Sequence, residues 1–199
     1  MGVGRAAALA LALLSPVAAQ AQFSDNYNFL KAVKDADGQK VTDLIQKPGS
    51  TVINSRDVTT GDTALHLVVA RRDNTWLTFL LAKGANPNLT DNNGNTPLMD
   101  AVQARFEEGA RSLLTYNALV DKANGSGETP LIRAVQLRDL GLVRLLVAQG
   151  ANPDKRDTIA GMSARDYAQR DGRTPGLVEA LSAAKTTAAP KGPVQGPVF

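Results

Sequence analysis

The chain has 199 residues, 43% of them hydrophobic, 21% charged and 5% aromatic, with a net charge of +3, a balance that suits one folded domain with short extensions. Cysteine is absent, which excludes disulfides, thiol catalysis and a lipid-modified cysteine. Charges of both signs are interspersed and aromatic residues are few, so the basic stripe with stacking rings that marks a nucleic-acid binder is missing and no nucleic-acid partner is expected.

In chain order, Arg5 precedes an apolar run over residues 6–14, the breaker Ser15-Pro16, and Ala19-Gln20-Ala21. A charged, an apolar and a small-residue region in that order predict a secretory signal peptide over residues 1–21, cleaved after Ala21. The run is shorter than the roughly 20 residues that cross a bilayer, so no membrane span is expected. A cysteine-free exported protein suits a bacterial periplasm, with secretion as the alternative destination.

Residues 26–60 carry Tyr27, Phe29, Leu30, Val33, Val41, Leu44 and Ile45 as apolar positions of a weak first unit. From Gly61 a phrase then recurs: GDTALHLVVA, GNTPLMDAVQ from Gly94, GETPLIRAVQ from Gly127 and, more weakly, GMSARDYAQR from Gly161. A period of about 33 residues means a stack of one supersecondary unit, so function belongs on a surface rather than in a buried pocket. Thr96-Pro97 and Thr129-Pro130 read as helix starts, because threonine caps free amides and proline suits the first turn. Leu98, Ala101 and Val102 share one face of that short first helix.

A second helix follows in each unit, clearest at Trp76, Leu77, Phe79, Leu80 and Leu81 and at Leu142, Val143, Leu145, Leu146 and Val147. Its broad apolar stripe predicts burial, Trp76 included. Gly84, Asn117 and Gly150 stand where a left-handed residue closes a helix. Asn93-Gly94 and Asn124-Gly125 are tight-turn pairs, and Asp91, Asn92 and Asn93 read as turn formers rather than a calcium loop, whose remaining ligands are missing. Residues 186–199, rich in proline and glycine, are expected to form a tail without regular structure.

These residues resemble the ankyrin repeat: glycine-x-threonine-proline-leucine-histidine, a leucine pair in the second helix, then glycine-alanine-asparagine and a turn. The resemblance implies an all-α solenoid of helix–turn–helix units joined by β-hairpin-like loops. It places an ankyrin-repeat domain at 22–185, with a degenerate first unit at 26–60, repeats at 61–93, 94–126 and 127–160, and a capping unit at 161–185. In that last unit Arg165 replaces the buried leucine and Ser163-Ala164 replace threonine-proline, as a polar outer face requires. Gly109, inside a second helix, implies either close packing on Phe106 or local softness.

No residues support catalysis. His66, the single histidine, holds the family's histidine position, where the ring hydrogen-bonds backbone in the adjoining loop, and without cysteine it builds neither a zinc site nor a nucleophile–base pair. Glu107 and Glu108 are adjacent on a helix and diverge. The glycine-rich phosphate motifs are absent. Neither enzyme activity, nor cofactor, nor metal is expected.

The resemblance implies a protein partner on the concave side, contacted by loop tips and by the exposed ends of helices. Carried over by position, the tips supply Asp62, Thr90, Asn92, Asn93, Asn95, Ala123, Ser126, Glu128 and Arg156. First-helix ends supply Arg71, Gln103, Ala104, Gln136 and Leu137, and second-helix ends supply Lys83, Tyr116 and Gln149. Because interface hot spots favour tryptophan, tyrosine and arginine, the interface is expected to be polar and centred near Tyr116. The expected state is a monomeric, non-catalytic periplasmic binding module. A secreted effector binding host proteins, or a small-molecule or metal-responsive stress-defence protein, are the alternatives.

Overall fold

The computed structural model describes residues 16–174 and 176–182, with side chains from Asp25 onward. Its helices are α1 (Pro16–Lys34), α2 (Gly38–Gln46), α3 (Ala64–Ala70), α4 (Asn74–Ala82), α5 (Pro97–Gln103), α6 (Glu107–Thr115), α7 (Pro130–Gln136), α8 (Leu140–Ala148), α9 (Ala164–Asp171) and α10 (Leu177–Ser182), with a 3-10 turn at Val52–Asn54 after α2. Within each unit the first helix packs on the second; between units, α1, α3, α5, α7 and α9 form one layer, and α4, α6, α8 and α10 the other. Pro16 to Ala21, at the expected cleavage junction, belong to the first turns of α1, while the rest of the expected signal segment and the 186–199 tail lie outside the described residues.

The helix ends follow from the sequence. Thr96 Oγ1 accepts from the Met99 amide and Thr129 Oγ1 from the Ile132 amide, both at 3.2 Å, with Pro97 and Pro130 in the first turn. Asp73 and Asp139 cap α4 and α8 by accepting from the Trp76 and Leu142 amides at 3.0 and 3.1 Å. In α6 the capping position is Phe106, which cannot accept, and Glu107 and Glu108 in the first turn offset the helix dipole instead. Gly84, Asn117 and Gly150 close the second helices with φ of 92°, 64° and 85°, as expected.

The core runs the length of the stack. Leu65, Leu98 and Leu131 stand at equivalent positions of successive first helices and are buried to 1%, 0% and 0% exposure; each stabilises by about 2 kcal/mol relative to an exposed leucine. Arg165 occupies that position in the last unit, where its Nε donates to Asp154 at 2.8 Å and its side chain keeps 28% exposure, consistent with an end cap. Close packing, not softness, explains Gly109: a Cβ there would lie 2.3 Å from two ring carbons of Phe106.

Trp76 departs from the expectation of burial. It is half-buried, edge-to-face with Phe79 at 5.6 Å between ring centres. The indole is only partly covered because α2 reaches α4 through Gly38, which has no side chain to lay over it; a Cβ at Gly38 would lie 4.0 Å from the indole.

Candidate functional site

The loops between units hold the tips in a fixed line. Antiparallel bridges join Arg56 to Thr63 and Arg156 to Ser163. In the middle units the Asp91 amide donates to the Asn95 carbonyl at 2.9 Å, and that of Asn124 to the Glu128 carbonyl at 3.0 Å. Asp91 organises its turn through its carboxylate, which accepts from the amides of Asn93 and Asn95 at 2.9 and 2.7 Å. Adjacent loops are also tied: the Asn92 amide reaches the Thr60 carbonyl at 3.0 Å, the Gly125 amide the Asn93 carbonyl at 2.9 Å, and the Thr158 amide the Ser126 carbonyl at 3.0 Å.

His66 joins helix to loop, as expected from its position. Its Nδ1 accepts from the Thr63 amide and its Nε2 donates to the Asn95 carbonyl, each at 3.1 Å. This pairing assigns the neutral tautomer with the proton on Nε2. Burial pushes the imidazole below its ordinary value, against the pull of the Asn95 carbonyl and of Asp62 and Asp91.

The expected surface residues divide by whether the fold already uses their polar atoms. Glu128 requires correction: it is buried to 6% exposure and ion-paired with Arg133 on α7, because its loop folds the side chain back onto the helix that follows. Arg71 is exposed but already engaged, since its Nη1 donates to the Val33 and Lys34 carbonyls at 2.6 and 3.1 Å and so ties α3 to the end of α1. Asn95 takes the His66 proton on its carbonyl and the Asn124 amide on Oδ1, and Asn92 donates its side-chain amide to the Thr59 carbonyl. Arg156 binds the Gly161 carbonyl and Asp166, whereas Asp62 accepts from the Thr60 hydroxyl at 2.8 Å. Leu137 is half-buried against the core.

Other expected residues are accessible. Gln103, Gln136 and Asn93 are exposed, while Thr90, Ala104, Ala123 and Ser126 are half-covered. Lys83, Tyr116 and Gln149 cap the ends of α4, α6 and α8, so Tyr116, 38% exposed, stands at the end of the second layer rather than at the centre of the first.

Four residues of the first-helix layer lie outside the set expected from the sequence. Leu67, Asp100, Arg133 and Tyr167 occupy one position of the repeated phrase, half-covered on successive first helices. Asp100 accepts no side-chain hydrogen bond from the described residues, and burial, then Asp91 and Asp62, push its carboxyl up to about 7. Tyr167 donates its hydroxyl to Asp157 at 2.6 Å, and with Val135, Gln136, Arg170 and Asp171 it lines an open depression of about 270 Å³. Variation between units alone is no sufficient signal, since the preceding position changes as well and is buried at His66, Met99 and Ile132.

Among the described residues no cluster of histidine, aspartate and glutamate could hold a metal ion, and no helix is long and apolar enough to cross a membrane. The arrangement displays a row of side chains along successive first helices. Comparison with known proteins agrees on its type. Ankyrin repeats in a three-copy arrangement match residues 29–124, and a further single ankyrin repeat matches 126–158. An ankyrin repeat protein of fowlpox virus (strain NVSL) is 37% identical over 83 residues, 42% of this chain and 24% of that protein. One of Acanthamoeba polyphaga mimivirus is 58% identical over 40 residues, 20% of this chain and 10% of that protein. The chain thus spans a quarter or less of the length of these relatives. With the repeated phrase, the paired helix layers and both matches in register, the chain belongs to the ankyrin-repeat family, whose stacks are protein–protein interaction modules.

Proposed function

We propose that the chain is a non-catalytic binding module of an exported protein, acting in the bacterial periplasm, and that it holds its partner on the first-helix layer and the adjoining loop tips. The observation that carries the binding face is the outward row Leu67, Asp100, Arg133 and Tyr167 beside exposed Gln103 and Gln136. These side chains differ from unit to unit on a frame that does not, and the Asp100 carboxylate has no hydrogen-bond donor of its own. A half-covered polar group without a partner is stabilised when a ligand supplies one. Support for export comes from the order of charged, apolar and small residues over 1–21.

The test is capture from periplasmic extract by the wild-type chain and by a triple variant, Gln103→Ala, Asp100→Ala and Gln136→Ala, with melting temperatures measured alongside. Recovery of one partner should fall at least tenfold in the variant, the loss of about 1.4 kcal/mol or more, with the fold intact. Equal recovery would remove the first-helix face as the site. The chain isolated from the producing cell should begin at Gln22 and fractionate with the periplasm; an intact Met1 in the cytoplasm would refute export.

A further inference from the structure

Helix α4 packs on α6, α6 on α8 and α8 on α10, but between α2 and α4 the second-helix layer is open. The opening is a groove of about 320 Å³ lined by Gly38 and Thr42 of α2 and by Thr75, Trp76 and Phe79 of α4. Its floor is the edge-to-face pair of Trp76 and Phe79, both half-buried. Thr42 donates its hydroxyl to the Gly38 carbonyl at 2.8 Å, so that group is spent within α2. Gly38 keeps the groove open, since a Cβ there would already lie 4.0 Å from the indole. A half-covered tryptophan beside a phenyl ring, bordered by threonines, has the anatomy of an interface hot spot, an aromatic anchor inside a polar rim.

None of the lining residues is charged, and the charges around them differ between the two ends of the groove. At the start of α4 the Arg71 guanidinium lies 6.0 Å from the indole centre, but it is held by the Val33 and Lys34 carbonyls and stands 3.6 Å from Asp73. Asp37 and Asp73 cap the starts of α2 and α4, so the cation at this end is balanced. At the other end the Lys83 ammonium lies 5.8 Å from the Phe79 ring. Lys31, Lys34 and Lys47 each pair with an aspartate, whereas Lys83 has no carboxylate partner among the described residues.

We infer that this groove is a second docking site, separate from the first-helix face, for a short acidic segment of another protein that lays a large apolar side chain on the Trp76–Phe79 pair and a carboxylate against Lys83. The spacing follows from α4. Phe79 and Lys83 are one turn apart and Trp76 and Lys83 two, about 6 and 10 Å along the axis. An extended segment at about 3.3 Å per residue therefore sets its carboxylate two or three residues beyond its apolar anchor. The apolar floor holds such a segment, and the unbalanced cation at the rim selects it over a basic one, which would meet Lys83 as a like charge.

The test selects a displayed library of random twelve-residue peptides on the full chain, discards those that Gly38→Leu also retains, and measures the survivors as synthetic peptides through the emission of Trp76, the single tryptophan. Gly38 is exposed in the first turn of α2, where leucine is the better helix former, so the filled variant should keep its melting temperature. Survivors should be enriched in Asp or Glu two or three residues after a large apolar residue and should shift the emission saturably. Their affinity should fall at least threefold in Lys83→Glu and stay within twofold in a Gln103→Ala, Gln136→Ala variant of the first-helix face. A library that leaves no peptide dependent on Gly38 would overturn the groove as a docking site. Neutral or basic survivors, or survivors that bind Lys83→Glu as well as wild type, would overturn the acidic partner, and survivors lost in the first-helix variant would overturn the separation of the two sites.

Discussion

At the scale of single residues His66 and Asp100 are ionisable groups whose desolvation gives them opposite pH signatures. His66 is held neutral by burial, against the pull of the Asn95 carbonyl, and its lowered pKa means that the unfolded chain binds the extra proton. Its contribution to stability is therefore present at neutral pH and is lost as pH falls below about 6.5. Asp100 behaves in reverse. Its carboxyl, pushed from 3.8 up to about 7, holds a proton in the folded chain that the unfolded chain has released. Stability accordingly declines as pH rises from about 4 to 7 and levels off above that. Asp100→Asn keeps the shape and removes the charge, so it should gain on wild type across this window, reaching about 1 kcal/mol at pH 8 once solvent screening is allowed for. Urea unfolding between pH 4 and 8 measures the difference, and a difference that does not change with pH would contradict the assignment. The same carboxylate is placed for partner binding, so the variant trades affinity for stability, as functional surfaces commonly do.

At the scale of the element, the turn between the first and second helix of each unit is the least ordinary part of the backbone. Arg72, Arg105 and Arg138 take left-handed conformations there, with φ of 55°, 51° and 56°, and Gly172 does so in the last unit at 56°. A side chain in that region costs roughly 1–2 kcal/mol. Each arginine offsets the strain by reaching into the next unit. Arg72 donates to the Arg105 carbonyl at 3.1 Å, Arg105 to the Leu137 carbonyl and to Asp139, and Arg138 to Asp171 at 2.7 Å. The result is a ladder of guanidinium groups bolting turn to turn. Arg105→Ala loses the bolt and keeps the strain; Arg105→Gly loses the bolt and sheds the strain. The glycine variant should therefore be the more stable of the two by about 1 kcal/mol, with both below wild type in thermal unfolding. An alanine variant equal to or above the glycine variant would show that the turn is unstrained. None of this was legible in the sequence, because arginine is no signal for a left-handed turn and its acceptor lies a full unit away. The helix starts at Thr96 and Thr129 were legible for the opposite reason: the group that caps is three residues from the amide it caps.

That division between local and non-local determinants holds for the whole molecule. While the role of His66, whose Nε2 reaches Asn95 in the next loop, is legible only through the family resemblance, layer order and helix ends follow from short-range chemistry repeated in register, so the sequence discloses them. The destinations of long polar side chains do not: Glu128 turns inward to Arg133, and Arg71 crosses to carbonyls in the preceding unit, both decided by neighbours that only the stack supplies. Stacking itself rests on how closely the loops approach. At Gly94, where φ is +81°, a Cβ would lie 2.6 Å from the Gly125 nitrogen, the same nitrogen whose amide donates to Asn93 at 2.9 Å. Gly61 and Gly127 meet the backbone of Asn92 and Thr158 in the same way, each at 2.8 Å. The glycine that opens each of the first three phrases is thus the seam between units, whereas a Cβ at Gly161 in the last unit would meet nothing within 4 Å among the described residues. Because stability in a stack is the sum of unit terms and nearest-neighbour terms, damage to one seam uncouples the units on either side of it rather than weakening one site. Gly94→Ala should push the loops of the second and third units apart and strain the backbone, so that urea unfolding separates into two steps or shows a lower m-value, while wild type unfolds in one. Partner recovery should fall with it, since Asp100, Gln103 and Gln136 span the same seam. A single transition of unchanged m-value in Gly94→Ala would mean that the helix layers alone carry the coupling.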